Sequence, residues 1–388
     1  MSWSDIALYT AILVEREHEI RHDFRRSFSR KEQKKMERRG AFMGCFVVAF
    51  TICTVFKPEF GAVSGFRSQN VDDEHKRNKR IPTIIPSLHP KIRCSAIAFS
   101  TGGYAGNHFH DFTDLLIPLY LTSHQFDKKV IFLVSDKRSW WTSKYRAILE
   151  NLSKYKIIYI DDENHLQVLC FRRMTVGLRA HKELGIDSSE PPHYSMTDFR
   201  RFLRRTYSLD REFVNITIHN RPKLLIVSRR KTRHLTNEGE VADVARGLGF
   251  EVVVQEMGWQ VSQVAKFVNG FDVMVGVHGA GLTNMVFLPE NGVVIQMVPI
   301  GLDMLGKYYF RVPAKDMKLR YLEYKVSLNE SSLMGKYGED SEVYRDPVGV
   351  RKKGWHGFRS VYLDNQDVNV DLGRFKETLM KALELVRS

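Results

Sequence analysis

Residues 272–289 limit the fold of this 388-residue chain more tightly than any other stretch. They begin with an apolar, β-branched run of strand length, continue through a Gly-Ala-Gly turn at 279–281, and end in an apolar segment closed by Pro289. This order predicts a strand, a glycine turn and a helix. Such a unit leaves unpaired backbone N–H groups just past the carboxyl end of a strand, where an open α/β sheet binds anions such as a diphosphate. Small residues also suit an ordinary βα turn, but His278 adds a titratable side chain beside the predicted anion site.

Strand and helix patterns alternate on both sides of Arg221-Pro222. The patterns predict strands at 95–99, 130–134, 156–160, 166–171, 224–227, 251–254, 272–277 and 293–298. They predict helices at 109–121, 142–151, 197–207, 237–248, 261–268, 281–288 and 371–387. Alternation of this kind predicts parallel sheets. We therefore expect two α/β domains, at 91–220 and 221–370, followed by a C-terminal helix at 371–388.

The N-terminal ninety residues have a different character. Residues 1–40 form a charged tail with nine Lys/Arg and three Asp/Glu between Arg21 and Arg39. Residues 41–57 are apolar up to Lys57 and reach the lower limit for a membrane span, and 58–90 have the composition of a flexible stem. A buried core helix or a signal peptide would also use an apolar run. The basic flank favours a type II signal anchor with a cytosolic N-terminus, a lumenal globular part and a Golgi location.

Cysteines and glycosylation sequons bear on that topology. Cys94 and Cys170 could form one disulfide in an oxidising compartment, or could remain two buried free thiols. Three Asn-x-Ser/Thr sequons follow the anchor, at Asn151, Asn215 and Asn329, and they can be used only on the lumenal side.

A cluster of basic residues follows the first strand of the second predicted domain. Residues 228–233 read Ser-Arg-Arg-Lys-Thr-Arg, with four cations in five positions. A solvated basic loop is the plain interpretation. Because the carboxyl ends of parallel strands share one edge, this loop and the 279–281 turn would face a common crevice, where a diphosphate needs both cations and directed N–H donors. The net charge of +14 agrees with an acidic ligand, and no nucleic-acid-binding motif is present.

The first predicted domain carries His108, His110, Asp111 and Asp114 directly after Asn107. If a helix starts near His108, His110 and Asp114 are four residues apart and share a face. This pair could be a general base with its orienting carboxylate. Helix capping by Asn107 with ordinary surface polarity is the alternative, and a metal held by the two histidines and Asp114 is a weaker one. No Asp-x-Asp occurs in the chain, so the usual divalent-metal diphosphate clamp has no candidate.

Aromatic residues suggest sugar or base contacts without requiring them. Trp140-Trp141 follows a predicted strand and could stack on an acceptor sugar, or could be core. Tyr308, Tyr309, Tyr321 and Tyr324 could wall a base or sugar pocket, or could be ordinary core and surface tyrosines.

Together these motifs resemble plant members of glycosyltransferase family 61, the xylan arabinosyl- and xylosyltransferases. The resemblance rests on FSTGGYAGN followed by His110, on LLIVSRRKTR, on VGVHGAGLTNMVFLP and on AKDMKLRYLEY. It implies a GT-B-like fold of two Rossmann-like domains facing a cleft, and inversion at the anomeric carbon. It implies His110 and Asp114 on the acceptor side. It also implies a donor-diphosphate site made by Ser228, Arg229, Lys231, Arg233, His278, Gly279, Ala280, Gly281, Thr283 and Asn284.

The expected function is transfer of xylose or arabinofuranose from a UDP-sugar to a xylan side-chain position in the Golgi. Asp114, His110 and His278 are the expected catalytic residues. Asp114, paired with His110, is the expected base that takes the proton of the acceptor hydroxyl, and His278 is expected to contact the leaving group or the donor sugar. The sequence requires no cofactor and leaves a divalent cation open. The expected partners are the UDP-sugar, a polysaccharide acceptor, the Golgi membrane and other glycosyltransferases, but not nucleic acid. An inactive lumenal glycan-binding protein and an N-glycan core xylosyltransferase remain alternatives. An NAD-dependent oxidoreductase would need a Gly-x-Gly-x-x-Gly spacing that is absent.

Overall fold

The computed structural model describes residues 91–161, 170–215 and 221–388. The predicted tail, anchor and stem at 1–90 lie outside the described residues. Within the described part, no helix combines the length and the apolar character that crossing a membrane requires.

The first sheet has four strands in the order β3-β2-β1-β4. Its strands are β1 (Lys91–Ser100), β2 (Val130–Ser135), β3 (Ile158–Tyr159) and β4 (Cys170–Val176). β2 pairs in parallel with both β1 and β3, and its side chains are almost all buried. Such a continuous apolar strand is typical of a parallel sheet covered on both faces.

We call the described residues up to 215 the first half of the chain and residues 221–388 the second half. The helices of the first half begin with α1, a continuous run of three segments whose middle segment is a π-helix. The segments are His108–His110, Asp111–Leu116 and Ile117–Ser123, and a 3-10 turn follows at His124–Phe126. The remaining helices are α2 (Ser139–Lys144), α3 (Arg146–Leu152) and α4 (Met196–Tyr207). Asn107 caps α1 by accepting a hydrogen bond from the Phe109 amide, and Ser195 caps α4 through a reciprocal capping box with Asp198.

The second sheet is fully parallel, with five strands in the order β6-β5-β7-β8-β9. Its strands are β5 (Lys223–Val227), β6 (Glu251–Gln255), β7 (Val273–Val277), β8 (Val293–Val298) and β9 (Arg320–Lys325). The chain builds outward from β5 to β6 and then returns to β7 on the other side of β5. The strand order therefore reverses between β5 and β7, and a doubly wound sheet binds ligands at the carboxyl edge of such a reversal.

Helices flank this second sheet and complete the chain. They are α5 (Glu238–Gly247), α6 (Val261–Asn269), a 3-10 helix (Ala280–Phe287), the run α7 (Asp303–Gly306, Lys307–Arg311, Val312–Asp316), a 3-10 turn (Leu328–Glu330), α8 (Glu342–Arg345), α9 (Pro347–Lys352), α10 (Trp355–Phe358, continuing as Arg359–Asp364) and α11 (Leu372–Arg387). The predicted C-terminal helix starts at its N-cap, Asp371.

The two sheets share a hydrophobic core cluster. A single buried cluster contains Phe112 and Phe199 from the first half together with Met274 and Leu282 from the second. The Phe112 and Phe287 rings meet edge to face, with their centroids 6.0 Å apart. Residues 92–161 and 171–388 accordingly belong to one compact unit. The predicted boundary near residue 220 separates the two sheets, which this shared cluster joins.

An α/β fold with parallel sheets is confirmed, and three local features differ from the prediction. The segment after β7 is a 3-10 helix rather than an α-helix, and the predicted helix at 142–151 is two helices broken at Tyr145. β9 was not predicted, because its sequence mixes charged and aromatic residues. Cys94 is a free thiol that packs against the apolar side chains of Ala96, Ile131 and Leu133, which agrees with the free-thiol alternative, and the Cys170 side chain lies outside the described residues.

Candidate functional site

The basic loop and the glycine turn touch each other at the point where the strand order reverses. Gly279 has φ +151°, and a Cβ placed on it would lie 2.6 Å from Arg229 Nη1 and 3.2 Å from Arg233 Nη2. Both guanidinium groups therefore rest against the backbone of the turn, and only glycine leaves room for them. The structure thus brings Arg229 and Arg233 of the basic loop against the glycine turn, next to the start of the 3-10 helix.

Arg229 and Arg233 are held in place by the surrounding backbone. Arg229 donates from Nε to the Thr232 carbonyl at 2.9 Å and from Nη2 to Thr232 Oγ1 at 3.3 Å. Arg233 donates from Nη1 to the Leu363 carbonyl at 2.5 Å, and its Nε is buried without a hydrogen-bond partner among the described residues. Both side chains are thus oriented before any ligand arrives, and one buried donor is still unused.

The two guanidinium groups are poorly solvated as well as close together. Burial, and secondarily the charge of Arg229, lowers the pKa of Arg233 to about 9. Burial also lowers the pKa of Arg229. Two desolvated like charges side by side are unfavourable unless an anion joins them. Their arrangement is what a doubly charged oxyanion ligand would stabilise.

The other residues of the loop differ in exposure. Arg230 is 81% exposed in its side chain and pairs with Glu256 at 3.5 Å. Lys231 is exposed, and Ser228 is half-buried with its amide donating to the Gln255 carbonyl at 3.0 Å. Of the four cations, Arg229 and Arg233 are the two that the structure brings to the glycine turn.

His278 is buried directly before the turn and is fixed by a two-step hydrogen-bond chain. Tyr321 Oη donates to Gln296 Oε1 at 2.7 Å, and Gln296 Nε2 lies 2.8 Å from His278 Nδ1. Because an amide NH₂ can only donate, Nδ1 accepts, and the ring proton of a neutral His278 must be on Nε2. Burial, followed by the charges of Arg233 and Arg229, lowers the pKa of His278 well below its ordinary value. His278 is therefore a neutral N–H donor at physiological pH.

Gln296 and Tyr321 had no predicted part in the site. The one available signal was a polar glutamine inside the otherwise apolar strand 293–298, where a buried amide requires a partner.

Asn284 and His108 join the two halves of the unit. Asn284 Nδ2 donates to the Gly281 carbonyl at 2.9 Å, which leaves its Oδ1 to accept from His108 Nε2 at 3.0 Å. A Cβ on Gly281 would lie 2.9 Å from Val227 Cγ1, so this glycine permits the close approach of the turn to β5. Ala280 begins the 3-10 helix, and Thr283 is fully buried with no hydrogen bond from its hydroxyl in the part of the chain described.

Asp111 organises the first-half side of the crevice. Its buried carboxylate accepts four hydrogen bonds, from the Gly106 amide at 2.8 Å, Trp141 Nε1 at 2.9 Å, Lys144 Nζ at 3.3 Å and Tyr145 Oη at 2.7 Å. It ties the turn after β1 to α2. The sequence pattern placed Asp111 in the motif without giving it this role.

His110 and Asp114 form the predicted pair on α1. His110 Nδ1 lies 2.9 Å from Asp114 Oδ2, and the His110 ring stacks on Tyr104 with centroids 4.7 Å apart. A carboxylate can only accept, so Nδ1 carries a proton and the basic lone pair of a neutral His110 is on Nε2. This is the orientation that a carboxylate imposes on a histidine general base.

Comparison with known proteins identifies the family. The sequence model of the Glycosyltransferase 61 family matches residues 78–295, more than half of the chain. The chain belongs to glycosyltransferase family 61. The matched region includes His110, Asp114, the basic loop and the whole 279–284 segment, and it ends within β8.

Similar family members come from plants. The chain is 46% identical over 308 residues to the alpha-1,3-arabinosyltransferase XAT2 of Oryza sativa subsp. japonica, covering 78% of this chain and 52% of that protein. It is 44% identical over 298 residues to the rice beta-1,2-xylosyltransferase XYXT1, covering 75% and 64%. It is 38% identical over 304 residues to the xylan glycosyltransferase MUCI21 of Arabidopsis thaliana, covering 74% and 61%. The chain thus spans about half to two thirds of the length of these relatives. A solved heptosyltransferase, TibC, aligns at 12% identity over 58% of this chain and 64% of its own, with a TM-score of 0.28.

In this family 61 chain, the tryptophan pair and the tyrosines take different places. Trp141 is core, and Trp140 is partly exposed. Tyr309 stacks on Phe109 of α1 with centroids 4.6 Å apart, Tyr324 is buried on β9, and Tyr321 supports Gln296. Across the described ranges, no group of three or more His, Cys, Asp or Glu side chains is arranged to hold a metal ion.

Proposed function

We propose that this chain is an inverting glycosyltransferase that moves a pentose, xylose or arabinofuranose, from a UDP-sugar to a side-chain position of xylan. One observation carries the proposal. Arg229 and Arg233 converge on Gly279 at the reversal of a doubly wound sheet, with a helix start beside them. That combination suits a nucleoside diphosphate. The pentose and the xylan acceptor are supported by the names of the relatives, which are arabinosyl-, xylosyl- and xylan glycosyltransferases.

The leaving group is stabilised from the second half of the unit. As the bond between the anomeric carbon and the diphosphate breaks, negative charge grows on the diphosphate oxygens. Arg229 and Arg233 are already oriented toward that charge, and exposed Lys231 can close onto it. Preorganised donors of this kind lower the barrier without reorganising during the reaction. Neutral His278 donates from Nε2 to the same leaving group or to the donor sugar.

The acceptor is activated from the first half. Because Asp114 is engaged with His110 Nδ1, we assign the base to His110 rather than to Asp114, the base expected from the sequence. His110 Nε2 takes the proton of the attacking hydroxyl, and the new C–O bond forms on the face opposite the departing UDP, which inverts the anomeric carbon. Asp114 accepts from Nδ1–H throughout and stabilises the resulting imidazolium. In this arrangement the two halves work as the facing Rossmann-like parts of a GT-B-like enzyme.

We also propose Golgi membrane residence with the described part in the lumen. The proposal is supported by the basic-then-apolar sequence at 21–57, and by the exposure of Asn215 and Asn329 in two sequons. The Asn151 amide is instead bonded to Lys128 and to the Ala147 carbonyl. Endoglycosidase treatment of the plant-expressed chain should shift its mass, and Asn215→Gln and Asn329→Gln should each reduce the shift. A chain without glycans would contradict the lumenal orientation.

The transfer assay tests the proposed activity. Purified full chain is incubated with UDP-xylose or UDP-arabinofuranose and with xylohexaose or an N-glycan, and the products are weighed. Addition of one pentose to xylohexaose is expected. Transfer only to the N-glycan would reassign the acceptor. UDP binding without transfer to either acceptor would favour an inactive glycan-binding protein, and absence of UDP binding would overturn the proposal.

A further inference from the structure

Two exposed tryptophans meet across the two halves of the unit. Trp140 lies on α2, which follows the carboxyl end of β2, and Trp259 lies in the loop between β6 and α6. Their side chains are 39% and 56% exposed, and their ring centroids lie 5.8 Å apart at 50°. Both come from connections at the carboxyl edges of their sheets, the edges that carry the candidate site.

Both indoles are held by nearby groups. Lys144 is 7% exposed in its side chain, lies 3.3 Å from the Asp111 carboxylate, and places Nζ 4.7 Å from the centre of the Trp259 ring. A Cβ on Gly106 would lie 3.2 Å from the Trp140 ring, so Trp140 packs closely onto the turn after β1. Asp111 fixes both supports, since it accepts from Lys144 and from the Gly106 amide. Preorganised, partly exposed aromatic rings bind a ligand with little loss of side-chain entropy.

The pair also adjoins both functional sides of the crevice. Asp111 follows His110 directly in α1, and Glu256, in the same loop as Trp259, pairs with Arg230 of the basic loop. A ligand lying on the two indoles would therefore extend from the solvent toward the position where acceptor and donor meet.

We infer that Trp140 and Trp259 form a subsite for a neutral pyranose ring of the acceptor chain. The C–H groups on one face of a pyranose suit the electron-rich face of an indole. A polymer must also leave the crevice into solvent, which matches the exposure of both rings. A uracil ring is the other flat candidate, and we favour the sugar because the pair spans both halves and includes the half that holds His110. This inference rests on the proposed function, since it names the position of its acceptor.

Direct binding of xylohexaose and of UDP to the full chain tests the inference. Trp140→Ala and Trp259→Ala should each weaken xylohexaose binding by about tenfold and leave UDP affinity unchanged. Trp140→Phe should restore part of the loss. Tyr155→Ala is the matched control, because Tyr155 is also exposed with a lysine over its ring, but it precedes β3 and so lies at the opposite edge of the sheet. The control should bind xylohexaose as the wild type does.

The outcomes distinguish a failure of the proposed subsite from a failure of the proposed transferase activity. Unchanged xylohexaose affinity in both alanine variants, or no xylohexaose binding by the wild type, would overturn the subsite. Weaker UDP binding in either variant would assign the indoles to the nucleotide and also overturn it. A wild type that binds xylohexaose through these tryptophans but neither binds UDP nor transfers a pentose would refute the proposed function alone.

Discussion

Single residues decide whether the crevice can hold a diphosphate. Gly279 is the position where sequence and geometry agree most closely, because the turn predicted from the Gly-Ala-Gly pattern is also where two guanidinium groups need the missing side chain. The tautomer of His278 could not be predicted from the sequence, because it depends on a hydrogen bond from Gln296, which is distant in sequence. Sequence patterns find residues that a local conformation requires, and they miss partners brought together by the sheet.

Gly279→Ala should abolish most of the UDP binding. The new Cβ would meet Arg229 Nη1 at 2.6 Å and displace both guanidinium groups, and the backbone at φ +151° disfavours alanine as well. Calorimetric titration with UDP measures the effect. Gly247→Ala in α5 is the control and should bind UDP normally, because an added Cβ there would meet no atom within 4 Å other than those of its own helix backbone and chain neighbours. Wild-type affinity in Gly279→Ala would show that the turn is not part of the donor site.

His110→Ala should lower kcat by about 10²–10⁴-fold, the usual contribution of a general base, and leave UDP binding intact. Asp114→Asn should lower kcat as well, because its amide cannot stabilise the imidazolium as a carboxylate does. Initial rates with xylohexaose, together with UDP titrations, separate catalysis from binding. Turnover at the wild-type rate in His110→Ala would remove this residue as the base.

At the scale of elements, the sequence predicts the positions of most strands and helices, but it does not predict how they pack against one another. Parallel strands such as β7 and β2 are almost entirely apolar, so their positions can be predicted from the sequence. The segment Ala280–Phe287 also reads as a helix, but the sequence does not distinguish 3-10 from α geometry there. β9 was missed because an edge strand with alternating charges lacks that apolar signal. The shared core was missed because apolar periodicity shows which face of a helix is buried, not what covers it.

Helix α4 illustrates this point and gives a stability prediction. Its Arg200 is buried and donates to the carbonyls of Val286, Leu288 and Met317, which belong to the second half. Arg200→Lys cannot reach all three acceptors, so the free energy of unfolding should fall by about 2–4 kcal/mol. Arg205→Lys, exposed on the same helix, should change it by less than about 0.5 kcal/mol. Denaturant titration compares them, and equal stabilities would show that Arg200 does not join the halves.

For the whole molecule, buried neutral histidines predict acid sensitivity. Burial, followed by the charge of Lys144, lowers the pKa of His108 to about 4, and the pKa of His278 is lowered as well. The unfolded chain, with histidine pKa values near 6.5, therefore binds more protons in this range. The free energy of unfolding is therefore highest above about pH 6.5, where both histidines are neutral in the folded and the unfolded chain. It decreases as the pH falls toward 4.

Unfolding midpoints measured from pH 7.5 to 4.5 test this expectation. His108→Gln keeps an amide donor for Asn284 and should flatten the decline, whereas His193→Gln, at an exposed position, should not. A wild-type midpoint that rises with acidification through this range would contradict the assignment of neutral buried histidines.

The central claim is that the diphosphate of a UDP-sugar binds between the basic loop and the glycine turn. Titration of UDP into the wild-type chain, Arg229→Ala and Arg230→Ala tests it most directly, because these neighbouring arginines differ in whether they face the turn. We predict equal affinity for the wild type and Arg230→Ala, and a loss of about tenfold or more in Arg229→Ala, with unfolding midpoints unchanged. Equal UDP affinity in all three proteins would contradict the claim.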